Sequence, residues 1–282
     1  MSEQPEGRRN GVLLGYRGDG SRAVTVALVS TVVVFAGLGV IVVNSPGWPL
    51  VKREFLDWTI FWDSLPGLIR GFWINVQLFL VAEALILLFG LLLAIIRSLP
   101  GPVFFPIRAL ATAYTDVFRG LPGVLVIFML GFGIPGLGIA GVPNEPFFWA
   151  VVTLTLLYTA YVSEVYRAGI ESVHPSQEAA ARSLGLSRGQ ALRHVILPQA
   201  VRRVVPPLLN DFIGLQKDTV LVSFIGVVEI FRTAQIKQAA SFNFTPYVAT
   251  ALVFIAFTIP LARLTDWLIA RSRRSQLSGG VR

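Results

Sequence analysis

Residues 71–96 read GFWINVQLFLVAEALILLFGLLLAII, an apolar run broken by a single charge, Glu83. An α-helix crosses the roughly 30 Å hydrocarbon core of a bilayer with about 20 apolar residues, so this stretch predicts a membrane span. Working outward, further spans are predicted over 103–132, interrupted by Gly120-Leu121-Pro122-Gly123, over 147–163, over 195–228 and over 244–262. The 195–228 segment is amphipathic and carries Asn210, Asp211, Lys217 and Asp218. Upstream, 23–43 is uncharged and gives one more span. Trp48, Trp58 and Trp62 lie in the following loop and fit an interfacial aromatic belt. The expected fold is an all-α polytopic bundle of about six transmembrane helices. A polar tail (1–21) precedes an N-terminal helix (22–44); the main membrane domain covers 65–270, and a second polar tail follows over 271–282. The first tail is rich in glycine and arginine and is expected to be disordered. The apolar run after it is too long for a signal-peptide core.

Composition agrees. Of the 282 residues 54% are hydrophobic and 14% charged, against about a quarter charged in a soluble chain. The formal charge of +8 is not gathered on one stripe, which argues against nucleic acid as a partner; the basic residues fall between the apolar runs. The chain has no cysteine, which excludes disulfides, zinc–thiolate sites and iron–sulfur clusters. Arginines concentrate in the N-terminal tail (Arg8, Arg9, Arg17, Arg22), in the 97–108 link (Arg97, Arg108), between the 147–163 and 195–228 spans (Arg167, Arg182, Arg188, Arg193, Arg202, Arg203) and in the C-terminal tail (Arg271, Arg273, Arg274, Arg282). The alternate loops hold fewer, among them Lys52, Arg53, Arg232 and Lys237. By the positive-inside rule both termini are expected in the cytoplasm of a plasma or inner membrane. No internal repeat is visible, unlike transporters built from two related halves.

The cytoplasmic segment HPSQEAAARSLGLSRGQALRHVILPQ, residues 174–199, is more than a linker. Ser176 is placed to cap a short helix, Glu178 and Arg182 are spaced to pair, and Gly185 is placed to end the helix in a left-handed conformation. Its small alanines permit close approach by a partner; packing on its own bundle is the plainer alternative. Glu178-Ala179-Ala180, Gly185 five residues later, and Ile196-Leu197-Pro198 resemble the EAA loop of binding-protein-dependent ABC permeases. Phe118-Arg119-Gly120-Leu121-Pro122, Ala160-Tyr161-Val162-Ser163-Glu164, Arg167-Ala168-Gly169-Ile170 and Lys217-Asp218-Thr219 are similar to segments of the polar amino-acid branch, which carries histidine, glutamine, glutamate and arginine. The resemblance covers about 65–270. Val220 stands where that branch has serine, and Asn75 where it has threonine.

The resemblance implies a permease subunit of an ATP-driven amino-acid importer, working by alternating access. It assigns Ser176, Glu178, Ala179, Ala180, Gly185 and Leu186 to a coupling helix that docks on a cytoplasmic ABC ATPase dimer. It implies a second permease subunit, identical or homologous, and an extracytoplasmic solute-binding protein. ATP and magnesium would be bound by the ATPase, with no cofactor in this chain.

Ionisable groups inside a bilayer are costly and mark functional sites by default. Glu83 faces a ligand ammonium, a basic residue on another helix, or water in a cavity. Asp116 and Arg119 are three apart and suited to pair. On the 195–228 helix Asn210, Gly214, Lys217 and Leu221 share one face, and Asp211 and Asp218 another. An amino-acid zwitterion needs an acceptor for its ammonium and donors for its carboxylate. Lys217 with Asp218 or Glu164 supplies both; gating or structural ion pairs are the alternative. The candidate pathway set is thus Asn75, Glu83, Asp116, Arg119, Glu164, Asn210, Lys217 and Asp218. There is no GxxxxGK[ST] loop, so ATP hydrolysis is not expected in this chain. His174 and His194 are too isolated to suggest a metal site. A non-transport scaffold or regulatory subunit would not need the polar 195–228 helix, and a membrane enzyme would need a convergent catalytic set that is not visible.

Overall fold

The structure is a computed structural model that describes residues 20–278; most of the tail expected over 1–21 lies outside them. Regular structure among the described residues is helical throughout. By internal contacts the chain divides into two units between Glu54 and Phe55. In the first, α1 (Gly20–Val43) matches the expected N-terminal span. From Val24 onward it carries no charge, as suits a helix that crosses hydrocarbon. A short helix, α2 (Trp48–Phe55), follows.

The second unit begins with α3 (Trp58–Arg97), a helix of 40 residues. It starts thirteen residues before the expected span because Asp57 caps it, accepting from the Ile60 amide at 2.9 Å. Trp58 and Trp62 therefore lie on a helix, exposed and edge-to-face, rather than in a loop. The segment expected as one interrupted span is α4 (Phe105–Gly120) followed by α5 (Gly123–Phe128), bent by 107°. The cause is local: Leu121, preceding Pro122, is driven out of the helical region to φ −94°, ψ 139°. α4 buries only Ala111 and Thr115. A π-helical turn (Met129–Gly133) continues α5 into the single turn α6 (Ile134–Gly136).

α7 (Pro146–Glu171) opens with proline at its first position and forms the principal helix pair with α3. The pair is closed by Leu78, Ala82 and Ile86 from one side and Ala150, Leu154 and Val162 from the other, all in one buried cluster. Two short helices, α8 (Pro175–Ser183) and α9 (Arg188–Ala191), lead through a π-helical turn (Leu192–Ile196) to α10 (Leu197–Asp218). The expected 195–228 helix is not uniform: at Thr219 the chain tightens into a 3₁₀ segment (Thr219–Ile225) that ends at Gly226, φ +94°. The chain then turns by 51° into α11 (Ile230–Ser241). The last helix, α12 (Thr245–Ser278), runs well past the expected end of the sixth span into the segment assigned to the C-terminal tail.

α11 lies against the N-terminal half of α3, and Gly71 permits it. A Cβ on Gly71 would stand 2.8 Å from the backbone N and Cα of Ile230. Small residues of this kind let helix backbones touch in membranes. Among the described residues four helices are, by length and composition, able to cross a membrane, or up to six if each bent pair is counted as one span.

Candidate functional site

The 174–199 segment forms the short helix its sequence suggests, with one correction. The N-cap of α8 is His174, not Ser176: His174 Nδ1 accepts from the Ser176 amide at 3.2 Å and lies 2.7 Å from Ser176 Oγ. Pro175 displaces Ser176 one step into the helix, where proline is at home in the first turn. The C-terminal end is a Schellman motif. The Gly185 amide donates to the Arg182 carbonyl (3.0 Å), and the Leu186 amide to that of Ala181 (3.3 Å). Gly185 has φ +89°, with no atom within 4 Å of where a Cβ would lie. Ala181 is buried and seats α8 on the chain, while Ala179 and Ala180 face out. Leu184, absent from the sequence-derived set, is 82% exposed at the tip of the helix. A large apolar residue beside the helix-ending glycine of a polar loop was the available signal. The Gln199 amide donates to the Gln177 side-chain oxygen (3.4 Å), and the Arg203 guanidinium donates to the Ser172 carbonyl, tying the loop to α10.

The Arg97 end of α3 carries an arginine–carboxylate cluster. Glu164 accepts from Arg97 and from Arg167 (2.8 Å), and Arg119 stands 3.9 Å away. Arg167 also pairs with Glu171 at 2.5 Å. The expected Asp116–Arg119 pair does not form: α4 points Arg119 toward Glu164. Asp116 lines a cavity of about 640 Å³ together with Arg97, Arg108 and Arg167. Glu164 is accordingly taken up by guanidinium groups, and Lys217 is not its partner.

Glu83 meets no basic residue among the described residues. Its electrostatic neighbour is Asp211 on α10, one of whose oxygens, Oδ2, is buried without a hydrogen-bond partner there. Asn75 is buried and saturated: it donates to Thr219 Oγ1 and Glu229 Oε2, both at 3.0 Å, and accepts from the Ile230 amide at 3.2 Å. Glu229, fully buried, caps α11 by accepting from the Phe231 and Arg232 amides at 3.0 and 2.7 Å. The sequence reading missed Glu229. Its signal was a lone carboxylate between two apolar pairs, Val227-Val228 and Ile230-Phe231.

Lys217 and Asp218 end α10 and line one cavity of about 470 Å³, lined otherwise by Val220, Leu221, Phe254, Ile255, Thr258 and Ile259. Lys217 is exposed and has no ion pair or side-chain hydrogen bond among the described residues. Asn210 is exposed two turns earlier and is not part of this cavity. Because the helix tightens after Asp218, Leu221 reaches the cavity on a 3₁₀ turn rather than on the continuous α-helical face expected.

Residues 86–274 match the model of the binding-protein-dependent transport system inner membrane component. The chain belongs to this family. It is 33% identical over 218 residues to a probable glutamine ABC transporter permease of Bacillus subtilis, covering 77% of this chain and 98% of the relative. It is 36% identical to the glutamate transport system permease GluC of Corynebacterium glutamicum, covering 72% and 92%. A solved amino acid ABC transporter with histidines superposes with a TM-score of 0.70 at 32% identity, covering 76% of this chain and 98% of that one. The protein is therefore a membrane-embedded permease subunit of an ABC importer. The family match takes in the coupling loop, the Glu164 cluster and the Lys217–Asp218 cavity of this permease; Asn75 and Glu83 lie ahead of it. α1 and the first part of α3 lie ahead of the match.

Proposed function

We propose that this permease carries polar amino acids inward by alternating access. A second permease, identical or homologous, completes the pathway. A solute-binding protein delivers substrate on the outer face. A cytoplasmic ATPase dimer, which holds ATP and magnesium, drives closure through α8. The carrying observation is the cavity that presents Lys217 and Asp218 in mostly apolar walls. Pockets that bind small molecules are mostly apolar, with a few convergent polar groups that fix orientation. An ammonium and a carboxylate side by side, not paired to each other, complement the two ends of an α-amino acid. The relatives' glutamine and glutamate assignments, and the histidines of the solved transporter, fit the same substrate class.

Lys217→Met tests this reading, because it keeps the length and apolar stem and removes the charge. Lys217 has no structural partner to strand, so membrane abundance is expected to stay near wild type. Uptake of labelled amino acid should fall about tenfold or more, in line with the loss of a charged hydrogen bond. Wild-type uptake in the variant removes Lys217 from the pathway. Joint loss of uptake and abundance, restored by Asp218→Asn, would instead make it half of a structural pair.

The proposed orientation places both termini, α8 and the Glu164 cluster in the cytoplasm, supported by the arginine distribution. The absence of cysteine makes this simple to check. Ser176→Cys should be shielded from an impermeant thiol reagent in intact cells, and Asn144→Cys, on the exposed loop before α7, should react. Labelling of position 176 from outside reverses the topology.

A further inference from the structure

The geometry points to Tyr158 as a positioning residue: its hydroxyl holds one oxygen of Asp218, leaving the other to receive the ammonium of the transported zwitterion. Tyr158 sits on α7, and its hydroxyl donates to Asp218 Oδ2 at 2.7 Å. This rests on the reading of the Lys217–Asp218 cavity as part of the transport route.

The need for such a donor follows from where Asp218 stands. It is the last residue of α10, where the chain passes directly into the 3₁₀ segment, and its partly buried carboxylate needs a hydrogen-bond partner. Asp218 has no ion pair among the described residues, and the Tyr158 hydroxyl is the one side-chain donor to it there. One turn earlier on α10, Gly214 also lies beside this hydroxyl: a Cβ there would stand 3.5 Å from it, at ordinary contact distance.

The backbone beneath Asp218 is pinned as well. Thr219 Oγ1 accepts from Asn75 on α3 and donates to the Gln216 carbonyl at 2.8 Å. Gln216 Oε1 accepts from Thr258 on α12 at 3.0 Å. Residues 216–219 are thus tied by side chains of α3, α7 and α12 at the point where α-helix passes into 3₁₀-helix. Lys217, between them, makes no such bond. The cavity combines a carboxylate fixed in orientation with an ammonium that is free to move. A fixed acceptor discriminates by direction: it favours a ligand whose α-ammonium lies where the second Asp218 oxygen points. A free lysine accommodates carboxylates over a wider range of positions.

The test uses the permease assembled with its ATPase, without the binding protein, so that affinity reports the membrane site. Labelled L-glutamine, L-glutamate, L-histidine and L-arginine are the probes, each competed with its analogue lacking the α-amino group. Tyr158→Phe keeps the ring and its packing and removes only the hydroxyl. It is expected to weaken amino-acid binding about tenfold, the usual order for a hydrogen bond to a charged group, while leaving the affinity for the deaminated analogue nearly unchanged. In an Asp218→Asn background the same change should have no further effect. Equal loss for amino acid and analogue, or full additivity with Asp218→Asn, would overturn the proposal. If Asp218→Asn is impaired and Tyr158→Phe is not, the positioning role alone is wrong. If Asp218→Asn binds every probe as wild type does, the cavity reading fails and the positioning role with it.

Discussion

Gly185→Val is expected to abolish substrate-stimulated ATP hydrolysis and uptake while leaving the permease inserted at near wild-type abundance. The reason lies in the backbone and not in space. Gly185 has φ +89° and nothing within 4 Å of its absent Cβ. A left-handed conformation costs an ordinary residue roughly 1–2 kcal/mol, and a β-branched residue is a genuine outlier there. The variant escapes the strain by leaving that conformation. Both Schellman bonds, from Gly185 to Arg182 and from Leu186 to Ala181, are then lost. Leu184 and Leu186 are displaced together, and the proposed docking surface no longer has one shape. A rigid element with two defined arrangements transmits displacement; a frayed one does not. Gly185→Asn, which tolerates the left-handed region, should retain much of the activity and serves as the graded control. Normal stimulated hydrolysis by the valine variant would remove this loop from coupling. The bundle itself should be indifferent, because Gly185 lies outside its buried clusters.

Glu164→Gln is expected to act on the opposite quantity, abundance and thermal stability. Its carboxylate binds Arg97 and Arg167, with Arg119 at 3.9 Å, and the Arg97 and Glu164 side chains are only 12% and 17% exposed. Removing one member of a fully buried ion pair strands the other, at about 3–5 kcal/mol, and this part-buried pair is expected toward the lower end of that range. That is a large part of the 5–15 kcal/mol that typically holds a domain together. Arg167 retains Glu171 and is more exposed, so Arg167→Ala should cost far less, toward the 0–1 kcal/mol of a surface pair. Adding Arg97→Gln to Glu164→Gln should restore part of the stability, since no uncompensated charge is then left between α3 and α7. Membrane abundance and the unfolding temperature of the purified protein measure both. A Glu164→Gln protein as abundant and as stable as wild type would show that the cluster is solvated. Uptake per inserted molecule then reports whether Glu164 also serves the pathway.

Most of the architecture was legible in the chain because bilayer thickness sets a length scale that single helices must meet. The 71–96 run, the 147–163 run and the uncharged 23–43 run each became a helix. Local chemistry also read correctly where its cause was local. Gly185 ends α8 as a left-handed glycine, since only the two adjacent turns decide it. Proline set two outcomes within a residue of itself. Pro122 turned an interrupted span into a 107° bend, and Pro175 moved the helix cap from Ser176 to His174.

Side-chain partnership was decided by tertiary structure. Asp116 and Arg119 have the spacing of a pair, yet Arg119 leans to Glu164, because a carboxylate already flanked by arginines on neighbouring helices lies within reach. Asn75 and Glu229 are separated by 154 residues and meet only because Gly71 lets α11 touch α3. Tyr158 reaches Asp218 only through the packing of α7 on α10. Helix existence depends on composition over some twenty residues, and the sequence determined it alone. Which polar group satisfies which depends on helix rotation and crossing. Those are set by the sum of many weak packing contacts far apart in the chain, and only the folded bundle resolves them.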